Sequence, residues 1–244
     1  MMKTKRSKRA TRRNPREDRN YSATSEKQSF NAPKHIALIP RNLSQEHYVN
    51  ALKDDTKAIV VATGPAGCGK TWLGSIAAIK AYNEGQCDKI VITRPNRAVD
   101  DKDIGFLPGD IFKKMMPWML PIMDVFKEYY SPQQVEKMLE DEIIEVCPIA
   151  YIRGRTFKNA FVIVDEAQGT TKNSMLSILT RIGEGSKMVV TGDVRQSDIG
   201  SSNGLQDFIN RFEGSDLISV IKFERKDVER SPVVSEVLRI YKEE

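Results

Sequence analysis

Five short runs of apolar, largely β-branched residues punctuate the chain: Ala58-Ile-Val-Val-Ala-Thr63, Lys89-Ile-Val-Ile-Thr93, Phe161-Val-Ile-Val164, Lys187-Met-Val-Val-Thr-Gly192 and Leu217-Ile-Ser-Val-Ile221. Their apolar residues are close to continuous rather than alternating with polar ones, the pattern of strands covered on both faces, as in a parallel sheet. Segments of helical or mixed composition separate the runs, and this alternation predicts an α/β fold with helices on both faces of the sheet. One such helix is expected to begin at Lys70 and run through Leu73 to about Tyr82. The segment Phe106 to Tyr130, with Trp118 and four methionines, reads either as a subunit contact or as ordinary core packing. Its most apolar part, Met115 to Met123, is too short and carries too many prolines to span a membrane. No partnership with a membrane is expected.

Length and charge refine this picture. At 244 residues the chain has room for one substantial core, so a single globular domain over residues 31–244 is expected. Residues 1–20 hold nine Lys/Arg and two acids, a net of +7, so the remainder carries −2 of the overall +5. The basicity therefore belongs to an arm, residues 1–30, whose scarcity of apolar side chains predicts disorder. Such an arm favours polyanions by counterion release, with a solubilising tail or targeting signal as the alternative reading. No apolar stretch follows it, which excludes a secretory signal. Cys68, Cys87 and Cys147 lack paired metal-ligand spacing, and their odd number argues against a disulfide framework, which fits a reducing, cytoplasmic setting.

The chemistry is concentrated behind the first run. Gly64-Pro-Ala-Gly-Cys-Gly-Lys-Thr71 is a phosphate-binding loop set between a strand and a helix. Gly64, Gly67 and Gly69 let the backbone wrap until successive N–H groups face a β-phosphate, with Pro65, Ala66 and Cys68 as spacers. Lys70 reaches the β and γ oxygens, Thr71 offers a hydroxyl to Mg²⁺, and the helix entered through Trp72 adds the positive end of its dipole. ATP and Mg²⁺ are the expected ligands.

A second site decides among the many uses of such a loop. Phe161-Val-Ile-Val-Asp165-Glu166 reads as a buried strand whose end meets the nucleotide. Asp165 would hold Mg²⁺ through water, and Glu166 beside it would polarise a water for attack on the γ-phosphate. A small-molecule kinase does not need that glutamate, so hydrolysis is the favoured reaction. The alternative is an acidic pair that only caps the next helix. After the fourth run, Asp193 and Gln196 are placed to hydrogen-bond the phosphate or its water, although Gly-Asp after a strand is by itself only a turn.

From about Asn42 to Tyr241 the chain resembles the PhoH-like family, phosphate-starvation-inducible ATPases related to the core of superfamily 1 helicases. Beyond the phosphate loop the resemblance rests on Thr93-Arg-Pro95, Gly105-Phe-Leu-Pro-Gly-Asp110, Arg153-Gly-Arg155, Asp165-Glu-Ala-Gln168, Leu179-Thr-Arg-Ile-Gly183, Ser186-Lys-Met-Val-Val-Thr-Gly-Asp193 and Asp227-Val-Glu-Arg230. It implies a RecA-like P-loop NTPase fold, ATP hydrolysis, a hexameric ring and RNA remodelling or helicase activity. It also implies that Gln45, ahead of a helix, reads adenine through a bidentate hydrogen bond. Cys68 stands where the family often has Thr, leaving a thiol open to oxidation, and Asp100-Asp-Lys-Asp103 replaces an acidic Glu-Ala-Gly-Glu. Gly169 stands where Asn is common, and Asp-Val-Glu-Arg-Ser-Pro replaces Asp-Val-Val-Arg-His-Pro with its arginine kept.

A strand-walking helicase uses two motor domains, and this chain reads as one, so a neighbouring copy would complete the site. Arg230 is the preferred arginine finger, with Arg181 and Arg155 as competitors and simple pairing with surface acids as the alternative for each. Arg94 and Arg97, following the second run, are the expected contacts to RNA or single-stranded DNA phosphates, with Lys102, Lys113 and Lys114 adding charge. The rival reading is a nucleotide-gated scaffold or switch with little turnover, whose arm tethers nucleic acid.

Overall fold

Every one of the five apolar runs forms a strand, and a sixth joins them. In the computed structural model, which describes residues 35–95, 111–229 and 232–241, the strands are β1 (Ile59–Thr63), β2 (Lys89–Thr93), β3 (Ile144–Val146), β4 (Ala160–Val164), β5 (Lys187–Gly192) and β6 (Ile218–Lys222). They make one parallel sheet in the order β3-β2-β4-β5-β1-β6. The unexpected member, β3, has three residues with a glutamate in the middle, too short and too polar for a hydrophobic run. The arm of residues 1–30 lies outside the described residues.

The intervening segments form α1 (Leu43–Lys53), α2 (Lys70–Asn83), α3 (Ile111–Tyr129), α4 (Pro132–Glu140), α5 (Ile149–Ile152), α6 (Lys172–Leu179), α7 (Gly204–Arg211) and α8 (Pro232–Tyr241). Their starts are written locally: Asn42, Thr171 and Asn203 cap α1, α6 and α7 with side-chain oxygens, and Ser131 forms a capping box with Gln134 ahead of α4. The C-terminal end of α1 is closed from the sheet, where the half-buried Lys187 ammonium donates to the Leu52 and Asp54 carbonyls at 2.6 and 2.9 Å.

Both faces of the sheet are covered, as the continuous apolar runs require. All five residues of β1 and of β4 are buried. On one face Val61, Val162, Val164 and Val190 pack with Phe157, Met175, Ile178 and Leu205. Against the other face lie α1 and α2, with α3 packed on α2, and Tyr48, Leu73, Ile76, Met119, Ile122 and Phe126 are among the fully buried side chains. Each contributes about 1.5–3 kcal/mol of apolar burial.

The segment around Trp118 is a nineteen-residue helix that continues through Pro117 and Pro121. Proline has no N–H, so Pro121 leaves the Pro117 carbonyl without its helical donor and opens that turn. The helix survives because Met115, Met119, Ile122, Met123 and Phe126 are buried. Core packing thus accounts for most of this segment, while Trp118 and Leu120 remain 43% and 47% exposed. Among the described residues, no helix is long and apolar enough to cross a membrane.

Candidate nucleotide site

The sheet order builds the site. Strand β5 pairs on one side with β1, which leads into the phosphate loop, and on the other with β4, which leads into Asp165 and Glu166. The chain leaves β1 toward β2 on one side, and β5 connects to β6 on the other. Crevices for ligands open at such a reversal, at the carboxyl ends of the strands.

The loop adopts the conformation its glycines permit. Gly64, Gly67 and Gly69 have φ of +144°, +89° and +77°, a region closed to most side chains. A Cβ at Gly64 would also sit 2.4 Å from the Phe223 carbonyl oxygen. Gly64→Ala is therefore expected to destabilise the fold by roughly 3 kcal/mol through combined strain and overpacking, read as a lower urea midpoint. Helix α2 begins directly after Gly69 with no side-chain cap, so its first amides are left for an anion. Lys70 arches back over the loop and donates to the Gly64 and Pro65 carbonyls at 2.7 and 2.6 Å. Burial pushes this ammonium below the ordinary lysine value, and the proximity of Cys68, Asp193, Glu166 and Asp165 acts against the shift.

Asp165 is the convergence point. Its Oδ1 accepts from Thr71 Oγ1 at 2.7 Å and from Thr191 Oγ1 at 2.6 Å. A hydroxyl from α2 and a carboxylate from β4 thus meet at hydrogen-bond distance, a hard-oxygen pair of the kind Mg²⁺ takes alongside phosphate and water. The site is compatible with that ion. Glu166 follows in the left-handed region at φ +54°, a costly conformation for a non-glycine residue. Its Oε2 accepts from Gln168 Nε2, and Gln168 Oε1 in turn accepts from the Asp193 N–H at 3.1 Å. Gln168 is fully buried and joins the ends of β4 and β5. Asp193 Oδ2 accepts from Gln196 Nε2 at 2.9 Å. A cavity of about 310 Å³, bordered by Gly67, Lys70, Thr71, Glu166, Asp193 and Gln196 and also by Ala66 and Trp72, lies between these groups.

Gln45 does not precede a helix; it occupies the first turn of α1 and is 3% exposed. Its Nε2 donates to the Cys68 carbonyl at 3.2 Å and its Oε1 accepts from the Arg41 N–H at 2.9 Å. That leaves one donor and one lone pair for a base. The Cys68 thiol is buried against the Glu224 carbonyl, which removes the solvent access oxidation requires. Tyr48 had no sequence signal, yet it is wholly buried, donates to the Lys70 carbonyl at 3.2 Å and meets Phe223 edge to face at 5.8 Å.

The arginines divide. Arg94 turns inward to the acids: its Nη1 is 3.5 Å from Asp165 Oδ2 and its Nη2 3.5 Å from Glu166 Oε1. Arg155 is bidentate to Glu145, holding that carboxyl below its usual range, and stacks 4.9 Å over Phe157. Arg181 donates to the Arg155 carbonyl and to Thr180. Both competitors for the finger role are thus engaged inside their own chain. Arg97, Lys102 and Arg230 lie outside the described residues.

A parallel sheet whose glycine loop, lysine and paired acids converge at the strand ends defines a RecA-like P-loop nucleoside triphosphatase fold. The PhoH-like protein family model matches residues 37–242, and the chain belongs to that family. It is similar to Protein PhoH of Escherichia coli (strain K12), 40% identical over 208 residues that cover 84% of this chain and 58% of the relative. The PhoH-like protein of Bacillus subtilis (strain 168) is 41% identical over 204 residues, covering 82% of this chain and 63% of the relative. The chain therefore spans about three fifths of the length of the curated relatives it matches. Among solved structures, the UvsW helicase from Bacteriophage T4 aligns at 16% identity and a TM-score of 0.44, covering 78% of this chain and 64% of that one. The Sulfolobus solfataricus SWI2/SNF2 ATPase core in complex with dsDNA aligns at 14% and 0.41, covering 71% and 37%.

Proposed function

We propose that this chain binds ATP and hydrolyses it to ADP and inorganic phosphate, and that it does so as a ring-forming oligomer acting on RNA or single-stranded nucleic acid. The observation that carries the reading is the meeting of Lys70, Thr71, Asp165 and Glu166 around one cavity. Loop amides and the Lys70 ammonium hold the β and γ phosphates, and the remaining donor and lone pair of Gln45 select adenine. Glu166 takes a proton from a water as that water's oxygen attacks the γ-phosphorus, and the bond to the bridging oxygen of ADP breaks. Thr71 and Asp165 would hold a Mg²⁺, which supplies charge neutralisation on the phosphates. The basic arm supports nucleic acid as partner, and Arg230 supplied by a neighbour would complete the charge. The second reading, a nucleotide-gated scaffold, draws on the fact that both Glu166 oxygens already have partners, Gln168 and Arg94.

The deciding measurement is steady-state ATP hydrolysis with and without single-stranded RNA and DNA. Stimulation by one polymer establishes the coupled ATPase; tight ATP binding without turnover establishes the scaffold. Removal of residues 1–20 is expected to weaken polymer binding at moderate salt while hydrolysis still responds at low salt. Loss of that response at low salt would favour the tether.

A further inference from the structure

Three features of the molecule sit outside the scheme above: a groove of about 920 Å³ along α3 and α4, the exposed apolar side chains Val233, Val237 and Ile240 of α8, and the inward turn of Arg94. The third is tied to the chemistry by measured contacts. Strand β2 pairs with β4 so that Thr93 is level with Val164, and the Asp165 N–H donates to the Thr93 carbonyl at 2.9 Å. Arg94 therefore leaves the sheet beside the two acids. Its guanidinium, on a side chain 20% exposed, lies 3.5 Å from one oxygen of each carboxylate. Its Nη1 also donates to the Trp118 carbonyl at 2.9 Å. Trp118 lies on the turn of α3 between Pro117 and Pro121, the part of the helix that proline opens. The neighbouring residue repeats the connection, since a Cβ at Gly169 would come within 3.1 Å of Pro95 Cβ. The exits of β2 and β4 are thus packed against each other.

We infer that Arg94 is a positioning residue for hydrolysis, holding the Glu166 carboxylate in line and linking its orientation to helix α3. Arg94 is not among the residues bordering the nucleotide cavity, and its side-chain contacts on that side are to the two acids that are, so its action on the reaction runs through them. Glu166 needs such a hold because its backbone is in a costly conformation and its one other side-chain bond comes from Gln168. A guanidinium suits the task because its planar fork can face two carboxylates and a carbonyl together. A shift of the α3 turn would change the fork's position and with it the angle of the base.

The inference deepens the ATPase reading, and two measurements separate their failures. In steady-state assays Arg94→Ala is expected to lower kcat at least tenfold with KM for ATP within twofold, and Arg94→Lys to recover part of the loss. In hydrogen exchange on the full chain without nucleotide, Arg94→Ala is expected to speed exchange at least fivefold at residues 166–169 and in the Trp118 turn, with Arg94→Lys between the two. Equal kcat and equal exchange in Arg94→Ala overturn the inference, as does a loss confined to polymer affinity, which would make Arg94 a nucleic-acid contact. If the wild-type chain turns over no ATP, the ATPase reading fails while the exchange comparison still decides the link. If Arg94→Ala does not fold, exchange in Arg94→Lys decides: rates equal to wild type in both segments overturn the inference, and faster exchange in both supports it.

Discussion

Replacing Glu166 with glutamine is expected to leave ATP binding within about twofold of wild type and to lower kcat by roughly 10²–10⁴, the range general-base catalysis contributes. The substitution is nearly isosteric, so a carboxamide can occupy the same place at φ +54° beside Gln168. What it removes is the capacity to take a proton. In the proposed site the loop amides and Lys70 hold the phosphates, and Lys70 keeps its bonds to the Gly64 and Pro65 carbonyls, which is why affinity and turnover should separate. Fluorescent-nucleotide titration and phosphate release on the same preparation check both halves. Normal turnover in Glu166→Gln would remove this residue from the reaction and return the acidic pair to helix capping.

The second large effect is at Lys70. Lys70→Met is expected to abolish measurable ATP binding, since two charge-assisted hydrogen bonds of about 1.5–3 kcal/mol each are lost. The stability of the nucleotide-free protein is expected to move the other way. Lys70 is 8% exposed, and burial sets its proton affinity below the unfolded value. Below the folded pKa the full cost of the buried charge is present, and stability rises with pH between the folded and unfolded values because the unfolded chain then holds more protons. An apolar side chain of similar length removes that cost. Saturating ATP at about 100-fold over Kd would stabilise the wild type by about 2.7 kcal/mol, some 5–10 °C in Tm for a chain of this size. Thermal melts should show that shift in the wild type, none in Lys70→Met, and a nucleotide-free Tm for Lys70→Met no lower than wild type. A nucleotide-free Tm well below wild type would mean that the ammonium's bonds to the Gly64 and Pro65 carbonyls outweigh its desolvation.

Much of this site was legible in sequence because its parts are local. Gly64 to Thr71 specifies its own positive-φ path, and Asp165-Glu166 announces itself as two acids closing an apolar run. Gln168 and Thr191 lay inside motifs already singled out, but no local pattern says that Gln168 spans two strand ends or that Thr191 shares Asp165 with Thr71. Gln45 was found by resemblance, and its burial in the first turn of α1 was not. Arg94 shows the limit most clearly. An arginine after a strand suggests solvent and phosphate, and only the position of β2 beside β4 turns it toward Glu166 instead.

The amino-acid sequence by itself determined that five apolar segments are strands, that the sheet is parallel, where the phosphate loop lies and to which family the chain belongs, and it pointed to Asp165 and Glu166 as the acids beside that loop. These follow from periodicity, φ requirements and the order of residues in short windows. The tertiary structure alone decided that β5 lies between β1 and β4, that β3 closes one edge, and that Thr71 and Asp165, ninety-four residues apart, share a hydrogen bond. It also decided that α3 reaches the acids through Arg94. Contacts of that kind depend on strand order and on what buries best against what, and a free energy summed over the whole core is not written in any single stretch of chain.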